Sequence, residues 1–216
     1  MANKIGVLGS GVVGQVLADG FLKHGYTVMR GSRDPKKLAE WKGKAGAKAS
    51  TGTFAETAKW AELVVLAVKG SAAVSVVEAC TPGALAGKTV IDATTPIAEK
   101  PPVNGVLQFF TGPNESLLEQ LQKRASQAKF VKAFSCVGNA FMVNPDFGGI
   151  KPTMFLCGND TGAKVEVEGI LTKFGWEFED MGAAEGARAI EPLCMLWCIP
   201  GLRGGGWSHA FKLLKK

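Results

Sequence analysis

The sequence has few of the residue types that build metal sites and acid–base centres. It contains two histidines, one tyrosine and five cysteines, and no two of the cysteines have the Cys-x-x-Cys spacing. Structural zinc is held by four Cys or His ligands, usually including paired cysteines, so we expect no metal site. An odd number of cysteines without paired spacing favours a reducing compartment, and we expect a cytoplasmic protein.

Long apolar runs and concentrated charge are also lacking. The run Leu63–Val68 is short, and Leu193–Ile199 is bounded by Pro192 and Pro200, whereas a membrane helix needs about 20 apolar residues. Strand-like sequence begins at Lys4, which leaves no room for a signal peptide. The net charge is +6, but no basic run exceeds two residues, so neither a membrane nor a nucleic acid is an expected partner. The mild positive excess is consistent with an anionic ligand.

Glycine and apolar residues are plentiful by contrast. Glycine accounts for 28 of 216 residues, and 46% of the chain is hydrophobic, enough for a sizeable core. Short apolar runs alternate with helical patterns, which predicts an α/β fold: a Rossmann-type, doubly wound, mostly parallel sheet with helices on both faces. We expect strands at Lys4–Leu8, Thr27–Arg30, Leu63–Val68, Thr89–Ala93, Phe130–Phe134 and Thr153–Cys157. We expect helices at Val12–Lys23, Lys36–Trp41, Thr161–Phe174 and Ala183–Leu196, with Asp34 capping the second and Gly25 ending the first.

A glycine-rich turn follows the first predicted strand. It reads Gly9-Ser10-Gly11-Val12-Val13-Gly14 and matches G-x-G-x-x-G at the opening of the first helix, the context in which this pattern is informative. The first glycine permits a tight turn, the second lets a pyrophosphate approach the backbone, and the third lets helix and strand pack closely. The free N–H groups of the helix N-terminus favour the anion. The turn therefore predicts a dinucleotide site.

The end of the second strand predicts which dinucleotide binds. An NAD-specific site places Asp or Glu here to hold the ribose 2′-hydroxyl, but this chain has Ser32 and Arg33, followed by Lys36 and Lys37. A hydroxyl and a guanidinium suit a 2′-phosphate that a carboxylate would repel. The only nearby acid, Asp34, is better interpreted as a helix cap. The sequence therefore favours NADP(H), although an ordinary solvated basic face is the alternative.

The remaining strand ends predict the rest of the cofactor pocket, because ligands of open parallel sheets bind beyond the carboxyl ends of the strands. The cofactor-binding candidates here are Val68, Lys69, Ala93, Thr94, Pro96, Val137, Gly138 and Asn139. We interpret Cys136 as a plain pocket-lining thiol, since it has no plausible histidine partner. We expect Lys69 and Lys132 to be solvated or to face a phosphate.

No catalytic acid or base is identified. The single tyrosine, Tyr26, is followed four places later by Arg30, so the Tyr-x-x-x-Lys pair of short-chain dehydrogenases is missing. Reducing a ketone requires a proton donor for the developing alkoxide. Hydride transfer between two ring cofactors mainly requires alignment of donor and acceptor carbons. A site poor in acids and bases therefore favours a flavin-like acceptor.

Several segments resemble the NADP oxidoreductase, coenzyme F-420-dependent family, and equally the cytosolic NADPH-binding domain of six-transmembrane metalloreductases. The matching segments are Gly9–Gly14, Gly31-Ser32-Arg33 with Lys37, Val131-Lys132-Ala133-Phe134, Cys157-Gly158-Asn159-Asp160, Asp180-Met181-Gly182, and Arg188 with Glu191. The resemblance spans nearly the whole chain. The segments Ser135–Phe141 and Gly201–Lys216, which would face the second ligand, depart from the family pattern.

The resemblance implies an NADP(H)-dependent enzyme that passes hydride to or from a deazaflavin or flavin. It implies that Ser10 and Val12 lie at the pyrophosphate. It further implies that Ser32, Arg33 and Lys37 hold the 2′-phosphate. The loops Thr94–Pro96 and Val137–Asn139 would flank the nicotinamide, and no catalytic acid or base is carried over.

The expected organisation is an NADP-binding Rossmann-type domain over residues 1–182, with a C-terminal helix and tail over residues 183–216 packing on it. We expect the sheet to end near Phe178 and Thr94–Pro113 to form an ordered loop over the site. The apolar residues Met195, Leu196, Trp197 and Ile199 are either buried within the chain or form a homodimer contact.

Two other functions remain open. One is an imine or hydroxy-acid reductase related to pyrroline-5-carboxylate reductase, whose nucleotide domain starts similarly. Such enzymes need a further helical domain, and fewer than 40 residues follow the expected end of the sheet. The other is a non-enzymatic NADPH-binding protein.

Overall fold

The computed structural model describes residues 2–80 and 82–216 and contains one mostly parallel sheet. Within these residues the sheet has eight strands in the order β3-β2-β1-β4-β5-β6-β7-β8, and only the β6–β7 pair is antiparallel. The strands are β1 Lys4–Leu8, β2 Thr27–Gly31, β3 Ala49–Gly52, β4 Leu63–Leu66, β5 Thr89–Asp92, β6 Lys129–Lys132, β7 Thr153–Gly158 and β8 Glu177–Asp180. The predicted fold class is confirmed.

Helices cover both faces of the sheet. They are α1 Val12–Lys23, α2 Ala39–Lys44, α3 Phe54–Trp60, α4 Gly70–Ala79, α5 Leu117–Arg124, α6 Thr161–Lys173 and α7 Ala187–Leu202. Strand β4 shows why its sequence has no polar alternation. Leu63 and Val65 belong to one buried cluster, whereas Val64 and Leu66 belong to another. Each residue of this central strand therefore needs an apolar side chain.

The helix-end signals act as the sequence predicts. Helix α1 ends at Lys23, and Gly25 then adopts the positive φ of +91° that favours glycine. Asp34 caps the 3-10 turn that leads into α2, because its Oδ1 accepts a hydrogen bond from the N–H of Lys36 at 3.1 Å. The prediction that this carboxylate is a cap is confirmed.

Two strands, β3 and β8, and three helices, α3, α4 and α5, were not among the predicted elements. Strand β3 reads Ala-Ser-Thr-Gly and lacks an apolar pattern, so its pairing with β2 is decided by tertiary context. Helices α3 and α5 each begin with a capping box, formed by Thr53 with Glu56 and by Ser116 with Glu119. The S/T-x-x-E spacing of these pairs was the signal that could have identified both helices.

Helix α7 extends further than predicted. It continues past Leu196 to Leu202 and contains both Pro192 and Pro200, which were expected to bound an apolar run. Both prolines are exposed, and so are Arg188 and Leu196, whose carbonyl groups lose their helical partners to the prolines. Among the described residues, each helix falls short of the length or apolar character that crossing a bilayer requires.

The chain after residue 182 packs against the sheet domain. Arg188 of α7 pairs with Glu119 of α5 at 2.6 Å and lowers the pKa of that carboxyl to about 2, with help from Ser116. Trp197 is only 7% exposed and stacks on His209, whereas Leu196 is 55% exposed. Trp197 is therefore buried within the chain, whereas Leu196 belongs to the part of the apolar face of α7 that is exposed to solvent.

Candidate dinucleotide site

The glycine turn lies where the order of strands reverses. Strand β1 has β2 on one side and β4 on the other, so the loops after β1 and β4 diverge to opposite faces and leave a crevice between them. Helix α1 starts at Val12 with Gly11 as its N-cap, and no side chain caps it. The first N–H groups of α1 are therefore available to an anion.

The three glycines of the turn are required for different reasons. Gly9 has a φ of +154°, and a Cβ there would lie 2.1 Å from the carbonyl oxygen of Ala67. A Cβ on Gly14 would lie 2.6 Å from the carbonyl oxygen of Gly9, whereas one on Gly11 would meet nothing within 4 Å. The fold itself requires the first and third glycines. The second leaves open space where a pyrophosphate would approach the backbone.

A cavity of about 770 Å³ extends from this turn along the ends of β4 and β5. The predicted residues that line it are Gly11, Val12, Val13, Val68, Lys69, Ala93 and Thr94. The loop from Thr94 to Lys100 forms one wall, as expected of an ordered loop over the site, and Pro96 is buried within that loop. The exposed lining residues Lys69, Glu99 and Lys100 make the cavity richer in ionisable groups than the sequence indicated.

The end of β2 presents positive charge without a carboxylate partner. Ser32 is 4% exposed, and its hydroxyl accepts a hydrogen bond from the N–H of Asp34 at 3.3 Å. Arg33 and Lys37 are exposed and form no ion pair with any residue that the structure describes. Lys37 and Ser10 line a second pocket of about 380 Å³ next to the turn.

The structure places Val137, Gly138 and Asn139 outside the lining of the larger cavity. Val137 is 7% exposed, and a Cβ on Gly138 would lie 2.6 Å from the ring of Trp197. Asn139 begins a 3-10 turn. Their contact with a nicotinamide stays a prediction. Cys136 is 2% exposed, and burial raises the pKa of its thiol to about 11, so the expectation of a pocket-lining thiol is wrong.

Lys132 is not solvated, and the expectation that it faces solvent or a phosphate is wrong. Its side chain is completely buried, and its Nζ lies 2.6 Å from Asp92 Oδ2 and 2.8 Å from Glu191 Oε1. Burial disfavours the lysine charge, but the two carboxylates outweigh this effect and raise the pKa of Lys132. Asp92 and Lys132 are register partners at the ends of β5 and β6. Aligning these two predicted strands would therefore have indicated that the two side chains lie next to each other.

This buried ionic cluster (Lys132, Asp92 and Glu191) holds the cavity wall in place. Lys132 Nζ donates to the carbonyl oxygen of Thr94 at 2.9 Å, and the Thr94 hydroxyl donates to Asp92 Oδ1 at 2.6 Å. Glu191 of α7 accepts hydrogen bonds from the N–H groups of Leu117 and Leu118 at the start of α5. The cluster therefore ties α5 and α7 to the loop that borders the cavity.

The switch-point crevice and the glycine turn that opens α1 define the class as a Rossmann-type dinucleotide-binding fold. Residues 4–96 match the family model described as NADP oxidoreductase, coenzyme F420-dependent, and the resemblance seen in the sequence is thereby confirmed. The prediction of an oxidoreductase agrees with the description of that family model.

Two relatives are similar along nearly the whole chain. Over 97% of its length the chain is 29% identical to Metalloreductase STEAP3 of Rattus norvegicus, and it spans only 41% of that protein. The structure of a candidate F420-dependent NADP reductase from Arthrobacter sp. FB24 is 29% identical, with a TM-score of 0.92 and complete coverage of both chains.

Imine reductases share the fold. The imine reductase from Pseudomonas sp. is 22% identical, with a TM-score of 0.64, and the match covers 94% of this chain and 59% of that one. A reductive aminase from Aspergillus terreus, solved in complex with NADPH and ethyl levulinate, has a TM-score of 0.67 at 21% identity. At these identities the likeness shows the fold alone.

Proposed function

We propose that the protein binds NADP(H) in the switch-point crevice and transfers hydride between the nicotinamide and a flavin or deazaflavin. The pyrophosphate would lie against Gly11 and the N-terminus of α1, where the chain leaves its backbone uncovered. The nicotinamide would extend into the cavity beside Thr94. The open second glycine, together with the unpaired cations at the end of β2, is the observation that carries the proposal.

The adenosine 2′-phosphate would be held by Ser32, Arg33 and Lys37, close to Ser10 at the pyrophosphate. Ser10 and Lys37 already line one pocket, and Arg33 follows the buried Ser32 directly. Arg33 is free to form charge-assisted hydrogen bonds, since it has no ion-pair partner among residues 2–80 and 82–216.

Replacing Arg33 with alanine is expected to weaken transition-state binding with NADPH by about 1.5–3 kcal/mol, the contribution of a hydrogen bond to a charged group. Values of kcat/KM with NADH should change less than twofold, because NADH has no 2′-phosphate. Steady-state kinetics with both cofactors measures the difference, and Lys36→Ala on the same exposed turn is the matched control. Equal losses with NADPH and NADH would overturn the assignment of the 2′-phosphate site.

A ring acceptor is favoured by the hydrogen bonds of the cavity wall. The Thr94 hydroxyl is committed as a donor to Asp92 and cannot protonate an alkoxide. The ionisable lining groups, among them Lys69, are exposed to solvent. The apolar side chain of Val12, at the turn, is 63% exposed. An exposed apolar side chain such as that of Val12 suits the stacking of planar rings, for which alignment suffices.

The choice of acceptor can be tested by mixing NADPH with FMN, a deazaflavin or a cyclic imine acid and following the nicotinamide absorbance. We expect turnover with FMN or the deazaflavin, slower with NADH as the donor, and none with the imine. Turnover with the imine alone would support the imine reductase that the shared fold leaves open. Tight NADPH binding without turnover would indicate a non-enzymatic NADPH-binding protein.

A cytoplasmic location and a homodimer remain part of the proposal. The dimer contact would use the exposed side of α7 and the segment after it, where Leu196, Leu202 and Trp207 are 55%, 39% and 45% exposed.

A further inference from the structure

Arg30 is a charged residue in a buried strand position. It is the fourth residue of β2 and is 1% exposed. Its Nη2 donates to the carbonyl oxygens of Gly9 and Gly11, both at 3.2 Å, and its guanidinium lies 4.9 Å from the ring centre of Trp41. Arg30 therefore lies directly beneath the glycine turn and is hydrogen-bonded to it.

The chain balances the charge of Arg30 only in part. Among the described residues it forms no ion pair, and its buried Nε has no hydrogen-bond partner. Burial lowers the pKa of Arg30, and Asp19 opposes that effect without forming an ion pair with Arg30. The Oδ1 of Asp19 accepts a hydrogen bond from Trp41 Nε1 at 2.7 Å. A buried cation without a carboxylate partner is costly, and a bound anion would reduce that cost.

Arg30 also lines the pocket of about 380 Å³ that contains Ser10 and Lys37. Two carboxylates also line this pocket: Glu40 is paired with Lys44 at 2.7 Å, and Asp19 accepts a hydrogen bond from Trp41 Nε1 at 2.7 Å. Arg30 and Lys37 are thus two cations without ion-pair partners that face one pocket beside the turn.

We infer that Arg30 is a specificity-determining residue for the adenosine 2′-phosphate, which would balance its buried charge from the Ser10 and Lys37 side of the pocket. The inference rests on the proposed NADP(H) function and adds a residue from beneath the turn to the expected phosphate ligands. Arg30 acts through its charge, and its two hydrogen bonds to the turn carbonyls hold the guanidinium in place. NAD(H), without the 2′-phosphate, would leave that charge unbalanced.

Titration calorimetry of Arg30→Met with NADP⁺ and NAD⁺ tests the inference. The Kd for NADP⁺ is expected to rise about tenfold or more, and that for NAD⁺ less than twofold. The thermal unfolding midpoint of the free protein should not fall, because methionine fills the site without an unpaired charge. Equal losses for both dinucleotides would show that Arg30 only shapes the turn, and would overturn the inference.

Arg30→Lys covers the case in which the methionine variant fails to fold. Because it keeps the charge, it should bind NADP⁺ within threefold of the unsubstituted protein, and a loss of selectivity for NADP⁺ over NAD⁺ would overturn the inference. The unsubstituted protein and the Arg33→Ala variant together distinguish a failure of the proposed NADP(H) function from a failure of the role of Arg30. If the unsubstituted protein shows no preference for NADP⁺, the proposed function fails. If Arg33→Ala removes the preference and Arg30→Met does not, only the role of Arg30 fails.

Discussion

Replacing Gly11 with valine is expected to weaken dinucleotide binding at least 100-fold, a loss of about 2.8 kcal/mol. The branched side chain would occupy the space through which a pyrophosphate reaches the backbone of the turn. The free energy of unfolding should change by no more than about 1 kcal/mol, the difference between glycine and valine at an N-cap. A Cβ at this position meets no atom of the chain within 4 Å. Calorimetry with NADP⁺ and chemical unfolding of the free protein measure the two effects.

The other glycines of the turn provide the control. Gly9→Ala would be strained by its positive φ and would place a Cβ 2.1 Å from a backbone oxygen, so we expect a loss of stability of about 3 kcal/mol or more. Gly14→Ala would also destabilise the fold, since its Cβ would meet the Gly9 oxygen at 2.6 Å. If Gly11→Val bound NADP⁺ within threefold of the unsubstituted protein, the pyrophosphate would have to lie elsewhere.

Replacing Lys132 with methionine is expected to lower the free energy of unfolding by about 3–5 kcal/mol, because it leaves buried carboxylates without a counter-charge. Asp92 and Glu191 both contact Lys132 within 2.8 Å, and all three side chains are almost completely buried. The Thr94 carbonyl would also lose a hydrogen bond at 2.9 Å. Urea unfolding at neutral pH measures the change.

Lys129→Met on the same strand is the matched control. Lys129 pairs with Asp160 at 3.1 Å, but the two side chains are 41% and 34% exposed, so its loss should cost no more than about 1 kcal/mol. Adding Asp92→Asn and Glu191→Gln to Lys132→Met should recover part of the lost stability, since no buried charge is then unpaired. Equal costs for Lys132→Met and Lys129→Met would contradict the description of a buried ionic cluster.

Local patterns were sufficient for much of the first half of the fold. The sequence placed β1 and α1 at the bounds that the structure shows, because apolar periodicity and the glycines define both elements locally. It located the glycine turn for the same reason. It did not identify β3, whose small and polar residues form a strand only beside β2. The capping boxes of α3 and α5 were present in the sequence but were not used.

The environments of charged residues and cysteines could not be predicted in the same way. Lys132 and Arg30 have side chains typical of a protein surface, and the structure buries both. Cys136 was expected in a pocket and lies in the core. In each case the partners are far away in the chain, as Glu191 is from Lys132.

The sequence by itself determined the class of fold, the position of the glycine turn and the absence of an acid at the end of β2, because each depends on neighbouring residues and their spacing. Only the tertiary structure decided which charges are paired and which are not. That depends on which distant parts of the chain the fold brings together, as β5, β6 and α7 bring together Asp92, Lys132 and Glu191. Burial there strengthens every electrostatic interaction and makes an unpaired charge costly.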